Sequence, residues 1–574
     1  MAEGALLMKT FPPMVRLAML GTAMLLGACG GGGGGSSGLP PPVIVPPPPI
    51  PPPPVPVDAQ YRASAASPFT ANCEGAAQTG TNYVNAEVEP YLAFNPLNAN
   101  NLVGVWQQDR WSNGGSRGLL TGTSIDGGHT WSQRAMPFSR CGGGNPGNNG
   151  DYERASDPWV TFGPNGTAHQ ISISFNDGNT VSAVLASRST DGGANWSTPL
   201  PLIVDGASFF NDKESITADP TDAHFVYAVW DRLATAGLGP TYFARSSNGG
   251  VSWEAARAIF TPSGNNQTIG NVIVVLPNGN LINMMTEIDT GTGGVLTSIL
   301  EVIRSTDKGL TWSAPIRIAD ELPVGTHDPD TGTRVRDGSL LAAIAVGATG
   351  NLFAVWQDGR FSGNRDGIAL SRSVDGGFTW TAPTQVNGNP AVQAFEPAVS
   401  ARADGTIGVT YYDFSNNTVD TSTLLTDYWL ARSSDGINFQ ESIVAGPFNL
   451  NIAPLTTSDG GGYFVGDYQG LVSIGKLFVP FYVQTNNDFN NRTDVFAAPA
   501  VSFTAMAMKL VAQRLAVFSP PKFIPTEGKI TPQLLQHVQS NILHTMRGRI
   551  PNWHHQQPIP QSSWESTHLP MLTR

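Results

Sequence analysis

One turn motif recurs six times along this chain, and that repetition constrains the fold more than any other feature. It reads Ser124-Ile125-Asp126-Gly127-Gly128-His129-Thr130-Trp131, then Ser189-Thr190-Asp191-Gly192-Gly193-Ala194-Asn195-Trp196. Variants follow at 246–253 (Asn248 for Asp), 305–312 (Lys308 for Gly), 373–380 and 433–439. The Asp or Asn positions lie 57 to 68 residues apart. In such a turn the carboxylate accepts backbone amides, glycine supplies positive φ, and the aromatic packs back onto the strands. Each motif sits between two β-type segments, with two more before it. In the third repeat these are expected at 215–218, 225–230 and 242–246, then after Trp253. Four strands per repeat is the content of one propeller blade.

Repeats open at Glu89, Asp157, Glu214, Asn271, Asp337, Glu396 and Asp467. The expected fold is therefore an all-β, seven-bladed β-propeller, with six blades the alternative. The seventh repeat lacks the turn motif and reads as three strands. Its fourth strand is expected from the segment near Tyr83, which would close the ring. Composition agrees: 64 glycines and 45 prolines in 574 residues, with 13% charged residues, argue for turn-rich β structure over coiled coil or helical solenoid.

The ends of the chain have a different character. Lys9 and Arg16 precede an apolar run, Leu17 to Leu26, too short for the ~20 residues that span a bilayer. The run ends in Leu26-Gly27-Ala28-Cys29, which resembles a bacterial lipobox. That resemblance implies a signal peptide over 1–28 and a lipidated Cys29. Residues 29–57 form a Gly/Pro-rich linker with twelve prolines between Pro40 and Pro56. Polyproline II at about 3.1 Å per residue makes it a spacer of roughly 50 Å. The propeller is placed at 58–503 and a tail at 504–574. The tail has net charge +5, which leaves −17 for the rest, and one amphipathic helix is expected after Thr531 and Pro532. Localisation is expected in the bacterial cell envelope, lipid-anchored, at the outer membrane or the extracellular surface. Cys73 and Cys141 can pair there in a disulfide.

Topology assigns the chemistry to one face. With each first strand running downward, the turn motifs fall on the lower face and the blade-opening residues at the mouth of the central channel. Six of the seven openings are carboxylates. A second set ends strand two: Trp106-Gln107-Gln108-Asp109-Arg110, Trp230-Asp231-Arg232, Trp356-Gln357-Asp358-Gly359-Arg360 and Tyr411-Tyr412-Asp413. Aromatics beside acids and guanidinium groups suit sugars. Inter-blade ion pairs would give the same spelling.

The turn motifs and blade pattern resemble the Asp-box (BNR) repeats of the sialidase (neuraminidase) superfamily over about residues 89–503. Tyr468-Gln469-Gly470-Leu471 is similar to the family's Tyr-Ser-x-Leu stretch, and Glu396-Pro397 to its Glu-Pro blade opening. The resemblance implies Tyr468 as nucleophile, Glu396 as the group that activates it, and Asp109 as acid/base. The family's arginine triad is missing: its Arg-Ile-Pro place reads Glu89-Pro90-Tyr91, and the second arginine's place ends in Tyr411-Tyr412. Expected substrate-binding residues are Arg110, Arg154, Asp157, Glu214, Arg232, Arg336, Asp337, Arg360 and Asp467.

The function expected is an exported propeller that acts on or recognises glycans, as a glycoside hydrolase of exo-sialidase type. The alternative is a non-catalytic scaffold for glycan or protein partners. A monomer is expected, with glycan or glycoprotein as partner and the membrane reached through the N-terminal lipid. A net charge of −12 argues against nucleic acid. No cofactor is required and no metal site is assigned; Ca²⁺ could sit at Asp328-Pro329-Asp330 or in the 486–494 loop. Gly114-Gly115-Ser116-Arg117-Gly118 spells G-x-S-x-G without the strand–turn–helix context of a serine hydrolase.

Overall fold

The computed structural model describes residues 60–499, except 180, 235–236, 291–295 and 459. The expected signal peptide with Cys29, the linker, and the 504–574 tail with its helix lie outside the described residues.

The described residues are all-β, with thirty strands and three single 3₁₀ turns. Each repeat builds an antiparallel meander. The third is representative: Phe209–Ala218, Val226–Ala234, Thr241–Ser246 and Arg257–Phe260 pair in that order. Its first strand registers Asp212 against Asp231 and Ser215 against Val229. The strands that open the meanders are Asn82–Asn95, Arg154–Phe162, Phe209–Ala218, Gln267–Val275, Ala343–Val346, Ala394–Ala401 and Gly470–Ile474. Each touches the next, and the last touches the first, so the arrangement is propeller-like.

The last meander, Gly470–Ile474, Leu477–Thr485 and Thr493–Ala497, takes its fourth strand from Tyr61–Arg62. Tyr61 registers against Ala497 and Arg62 against Phe496. This corrects the expected donor near Tyr83. Tyr83 lies inside Asn82–Asn95 and pairs with Arg110. Left-handed residues at Asn85 and Glu89 (φ 56° and 53°) bend that strand. The pattern thus reads as two segments where the chain forms one.

Side chains between neighbouring meanders make the core. Trp106, Trp230 and Trp356, at matching places on second strands, are fully buried. Burying such a ring removes some 150–250 Å² from water. Cys73 and Cys141 are joined in a disulfide that ties the N-terminal segment to the loop following the first meander.

The repeated turns are built alike. Ser124 Oγ donates to Asp126 Oδ1 (2.8 Å), and Asp126 accepts from the Thr130 amide (2.9 Å) and hydroxyl (2.6 Å). Trp131 Nε1 donates to the Gly128 carbonyl (3.0 Å). The Thr130 hydroxyl, the amides of Thr130 and His129 and the Ser124 hydroxyl hold the Asp126 carboxyl down at about 2. Thr311 and Thr379 do the same for Asp307 and Asp375. Gly127 N donates to the carbonyl of Asn100, at the start of the second strand. The turns therefore lie at the end of the meander opposite Arg110 and Ser116.

Candidate functional site

Five of the opening strands carry the same irregularity. Their pairing skips two residues: Glu89-Pro90, Asp157-Pro158, Lys213-Glu214, Gly270-Asn271 and Glu396-Pro397. The first of each pair is left-handed, with φ between 50° and 68°. For a residue other than glycine that conformation costs about 1–2 kcal/mol, and such strain gathers at working sites. Proline fits the second place because its missing N–H falls where no ladder bond forms.

This register revises the sequence reading. In the third and fourth repeats the residues equivalent to Glu89, Asp157 and Glu396 are Lys213 and Gly270, one place before Glu214 and Asn271. A lysine therefore enters the ring of acids. Its ammonium lies 2.9 Å from Asp157, 2.6 Å from Asp467 and 3.9 Å from Glu89. Arg336 forks onto Asp467 and reaches Ser458 (2.8 Å). The guanidinium groups of Arg336 (4.9 Å) and Arg110 (4.5 Å) both lie over the Phe464 ring.

Three glutamines hold the remaining acids. Gln107 donates to Glu89, Gln357 to Asp337 (2.9 Å) and Gln469 to Glu396 (2.6 Å). Gln107 Oε1 in turn accepts from Arg110 (2.7 Å). Glu214 differs from all of these. It is 2% exposed, and neither carboxyl oxygen has a hydrogen-bond partner.

Electrostatics sort the layer into two classes. Burial pushes the carboxyls of Glu89, Glu214 and Glu396 well above the ordinary range. Burial acts the same way on Asp157 and Asp467. Lys213 overcomes it at Asp157, and Arg336 with Lys213 at Asp467, so both stay ionised. Burial would discharge Lys213, but Asp157, Asp467 and Glu89 together hold its proton more firmly than usual.

A cavity of about 70 Å³, partly open to solvent, lies on the axis beside this layer. Residues of all seven opening segments line it, including Tyr91, Trp159, Glu214, Asn271, Pro397 and Tyr468. Tyr91 and Trp159 stack with centroids 3.5 Å apart, and Tyr468 meets Trp159 at 5.3 Å. None of the glycine turns borders it.

The expected catalytic trio is not assembled. Tyr468 donates its hydroxyl to the Pro158 carbonyl (3.1 Å), while Glu396 is held by Gln469. Burial, then Glu89, Asp157 and Glu214, push the Tyr468 phenol well above its ordinary range, the opposite of an activated nucleophile. Asp109 is fully buried away from the cavity, accepting from Asn85 N (2.9 Å), Ser67 Oγ (2.9 Å) and Arg117 (3.3 Å).

Of the expected substrate-binding residues, Asp157, Glu214, Arg336, Asp337, Asp467 and Arg110 converge on the axial layer. The other arginines are spent on the scaffold. Arg154, with no exposed side-chain surface, bonds Gln78 (2.7 Å), Asn113 (2.9 Å) and Asp177 (3.1 Å). Arg232 forks onto Asp205 (2.8 and 2.6 Å) and Arg360 onto Asp358 (2.8 and 2.7 Å). The sequence reading missed Lys213, Tyr91, Trp159 and the three glutamines. The signal for Lys213 was present in Asp212-Lys213-Glu214, where an acid on either side offered two registers.

Asp328 accepts from the amide of Asp330 (2.9 Å) and the hydroxyl of Thr331 (2.6 Å), which occupies oxygens expected for Ca²⁺. In the 486–494 loop, Asp494 accepts from Asn486 (2.6 Å), Asn491 (3.3 Å) and Ser64 (3.1 Å).

No family model matches the chain. A curated xyloglucanase of Paenibacillus sp is 28% identical over 279 residues, 46% of this chain and 23% of that protein. The chain thus matches less than a quarter of that relative's length. Among solved structures, a protein of unknown function from Dyadobacter fermentans aligns with TM-score 0.41 and 17% identity over 74% of this chain and 96% of its own. The Fusarium graminearum α-L-arabinofuranosidase Arb93A, in complex with an iminosugar inhibitor, aligns with TM-score 0.41 and 11% identity over 79% and 99%. The Hadza microbial sialidase Hz136 gives TM-score 0.38 and 17% identity over 73% and 66%.

Proposed function

We propose that this chain is a seven-bladed, Asp-box β-propeller that recognises glycans in its axial cavity. One observation carries the reading: three partly exposed aromatic rings, Tyr91, Trp159 and Tyr468, share the cavity wall with a carboxyl group, Glu214, whose oxygens are both unpartnered. Ring faces take the C–H surfaces of a sugar, and a protonated carboxyl can donate to a hydroxyl and accept from another.

A hydrolytic reading is favoured by the divergence of two neighbouring carboxyls. Burial shifts Glu214 upward while Lys213 holds Asp157 below its ordinary range, and carboxyls pushed apart in this way suit the acid and base of glycoside hydrolysis. In that reading Glu214 is the proton donor. Tyr468 shapes the wall, because its hydroxyl is committed to Pro158.

The test is titration of the soluble 58–503 body against neutral, cationic and anionic sugars, with turnover of the matching fluorogenic glycosides, a sialoside included. Trp159→Ala is expected to weaken sugar binding about tenfold, as loss of a stacking ring does. If no sugar binds at millimolar concentration, the reading is overturned. Turnover abolished by Glu214→Gln, with binding retained, selects the hydrolase; binding without turnover selects the scaffold.

The propeller is proposed to work outside the cytoplasmic membrane, carried on a lipid at Cys29. The lipobox-like Leu26-Gly27-Ala28-Cys29 supports this, and so does the Cys73–Cys141 pairing, since disulfides persist in oxidising compartments. Incorporation of labelled palmitate that Cys29→Ala abolishes is the expected result.

A further inference from the structure

The axial layer carries more acid than base. Glu89, Asp157, Glu214, Asp337, Glu396 and Asp467 face the three cations Lys213, Arg336 and Arg110. Two of the cations are already ion-paired, and the third, Arg110, keeps a buried, unpartnered Nε. Lys213 bridges Asp157 and Asp467, Arg336 is forked on Asp467, and Arg110 is held by Gln107 over Phe464. Lys213 is the one basic side chain among the cavity-lining residues, and its nearest oxygens are those two aspartates. An anionic sugar entering the cavity would meet the Glu214 carboxyl, and the ammonium of Lys213 there is already shared by two aspartates.

A buried carboxyl with neither oxygen bonded is costly, and native structures rarely keep one without a use. Glu214 is such a group and lines the cavity, while the wall beside it is three aromatic rings whose π faces attract cations. An ammonium group brings three donors and a positive charge to a place with a surplus carboxyl and an aromatic wall. A hydroxyl brings one donor and no charge.

We infer that the axial cavity selects an amine-bearing sugar, with the ammonium group paired to Glu214 and the ring stacked on Trp159 and Tyr468. This deepens the glycan reading and rests on it. Burial favours the protonated form of Glu214 in the empty cavity, so pairing with the ammonium is expected to release its proton to solvent. The ionisable groups facing it are Asp157 on the neighbouring opening strand, Asp212 and Lys213 on its own strand, and Tyr468 across the cavity. The two aspartates oppose the release and Lys213 assists it, and the incoming charge tips the balance.

The experiment is calorimetric titration of the soluble body with glucosamine, glucose, N-acetylglucosamine and N-acetylneuraminic acid. It is run in two buffers of different ionisation enthalpy. Glucosamine is expected to bind about tenfold or more tighter than glucose at neutral pH, with release of about one proton, while N-acetylneuraminic acid binds weakest. Glu214→Gln is expected to bring glucosamine within about threefold of glucose and to abolish the proton release. Glu321→Gln, a buried carboxyl outside the cavity, serves as the control and is expected to keep the preference.

Glucose or N-acetylglucosamine binding as tightly as glucosamine overturns the amine preference and leaves the glycan reading standing. Tightest binding by N-acetylneuraminic acid overturns it as well. If none of the four binds, the glycan reading and this inference fall together.

Discussion

The glycine turns and the axial layer both depend on aspartate and left-handed backbone, yet they solve opposite problems. In the turns the carboxylates are exposed or half-buried and their partners lie within four residues, as with Asp126, Thr130 and Ser124. On the axis the carboxyls are buried, and the cations that hold Asp157 and Asp467 come from other repeats. Asp467 meets Lys213 from 254 positions away and Arg336 from 131. Local hydrogen bonds depress an acid without burial, whereas Asp157 and Asp467 stay ionised because cations from other meanders outweigh their desolvation. A turn can therefore fail alone, but the axis fails as a network.

Replacing Lys213 should separate the two regions most clearly. Lys213→Met leaves Asp157 and Asp467 buried with one cation fewer, and breaking a buried ion pair from one side costs about 3–5 kcal/mol. Urea unfolding should show a loss of that size; a loss below about 1 kcal/mol would mean that the axial charges are not coupled.

A pH series gives the next effect. Glu321 is buried, and burial, with a smaller push from Asp358 against the pull of Thr286 and Arg360, raises its carboxyl to about 8. The folded chain then holds a proton that the unfolded chain, with its ordinary value near 4.5, gives up sooner. Stability from this group is complete below about 4.5 and is lost as pH rises through about 8. Glu321→Gln should flatten the decline in melting temperature across that interval. An unchanged slope would show that Glu321 is already ionised.

The turns should give the smallest effect and the opposite sign. Asp126, held down at about 2, is ionised in the folded chain while the unfolded chain takes up a proton near 3.8. Its contribution is present above about 4 and lost as pH falls toward 2. Asp126→Ala should cost about 1 kcal/mol at neutral pH, as loss of a capping side chain does. It should also reduce the acid-side loss of stability. A cost equal to that of Lys213→Met would erase the contrast between the two regions.

The turns were legible because every partner falls inside an eight-residue window, and so were the four-stranded meanders between them. The axis was only half legible. Asp157, Glu396 and Asp467 were named at their places, but the two-residue bulge is invisible in a pattern of alternating side chains. Glu214 was thus read as the member of the ring where Lys213 stands. Tyr468 and Glu396 lie within the same layer, yet Pro158 and Gln469 take the contacts that the family pattern reserves for each other. Arg154, Arg232 and Arg360 carry the spelling of a sugar site and serve as joints.

Sequence alone determined the period of the chain, its β character and the end of each meander on which the glycine turns lie, because these follow from contacts between near neighbours. Tertiary structure alone decided which acids keep their protons, which cations are spent, and that Tyr61–Arg62 completes the last sheet. Desolvation and charge pairing depend on which side chains meet across the axis, and residues hundreds of positions apart acquire that proximity only when the strands have packed.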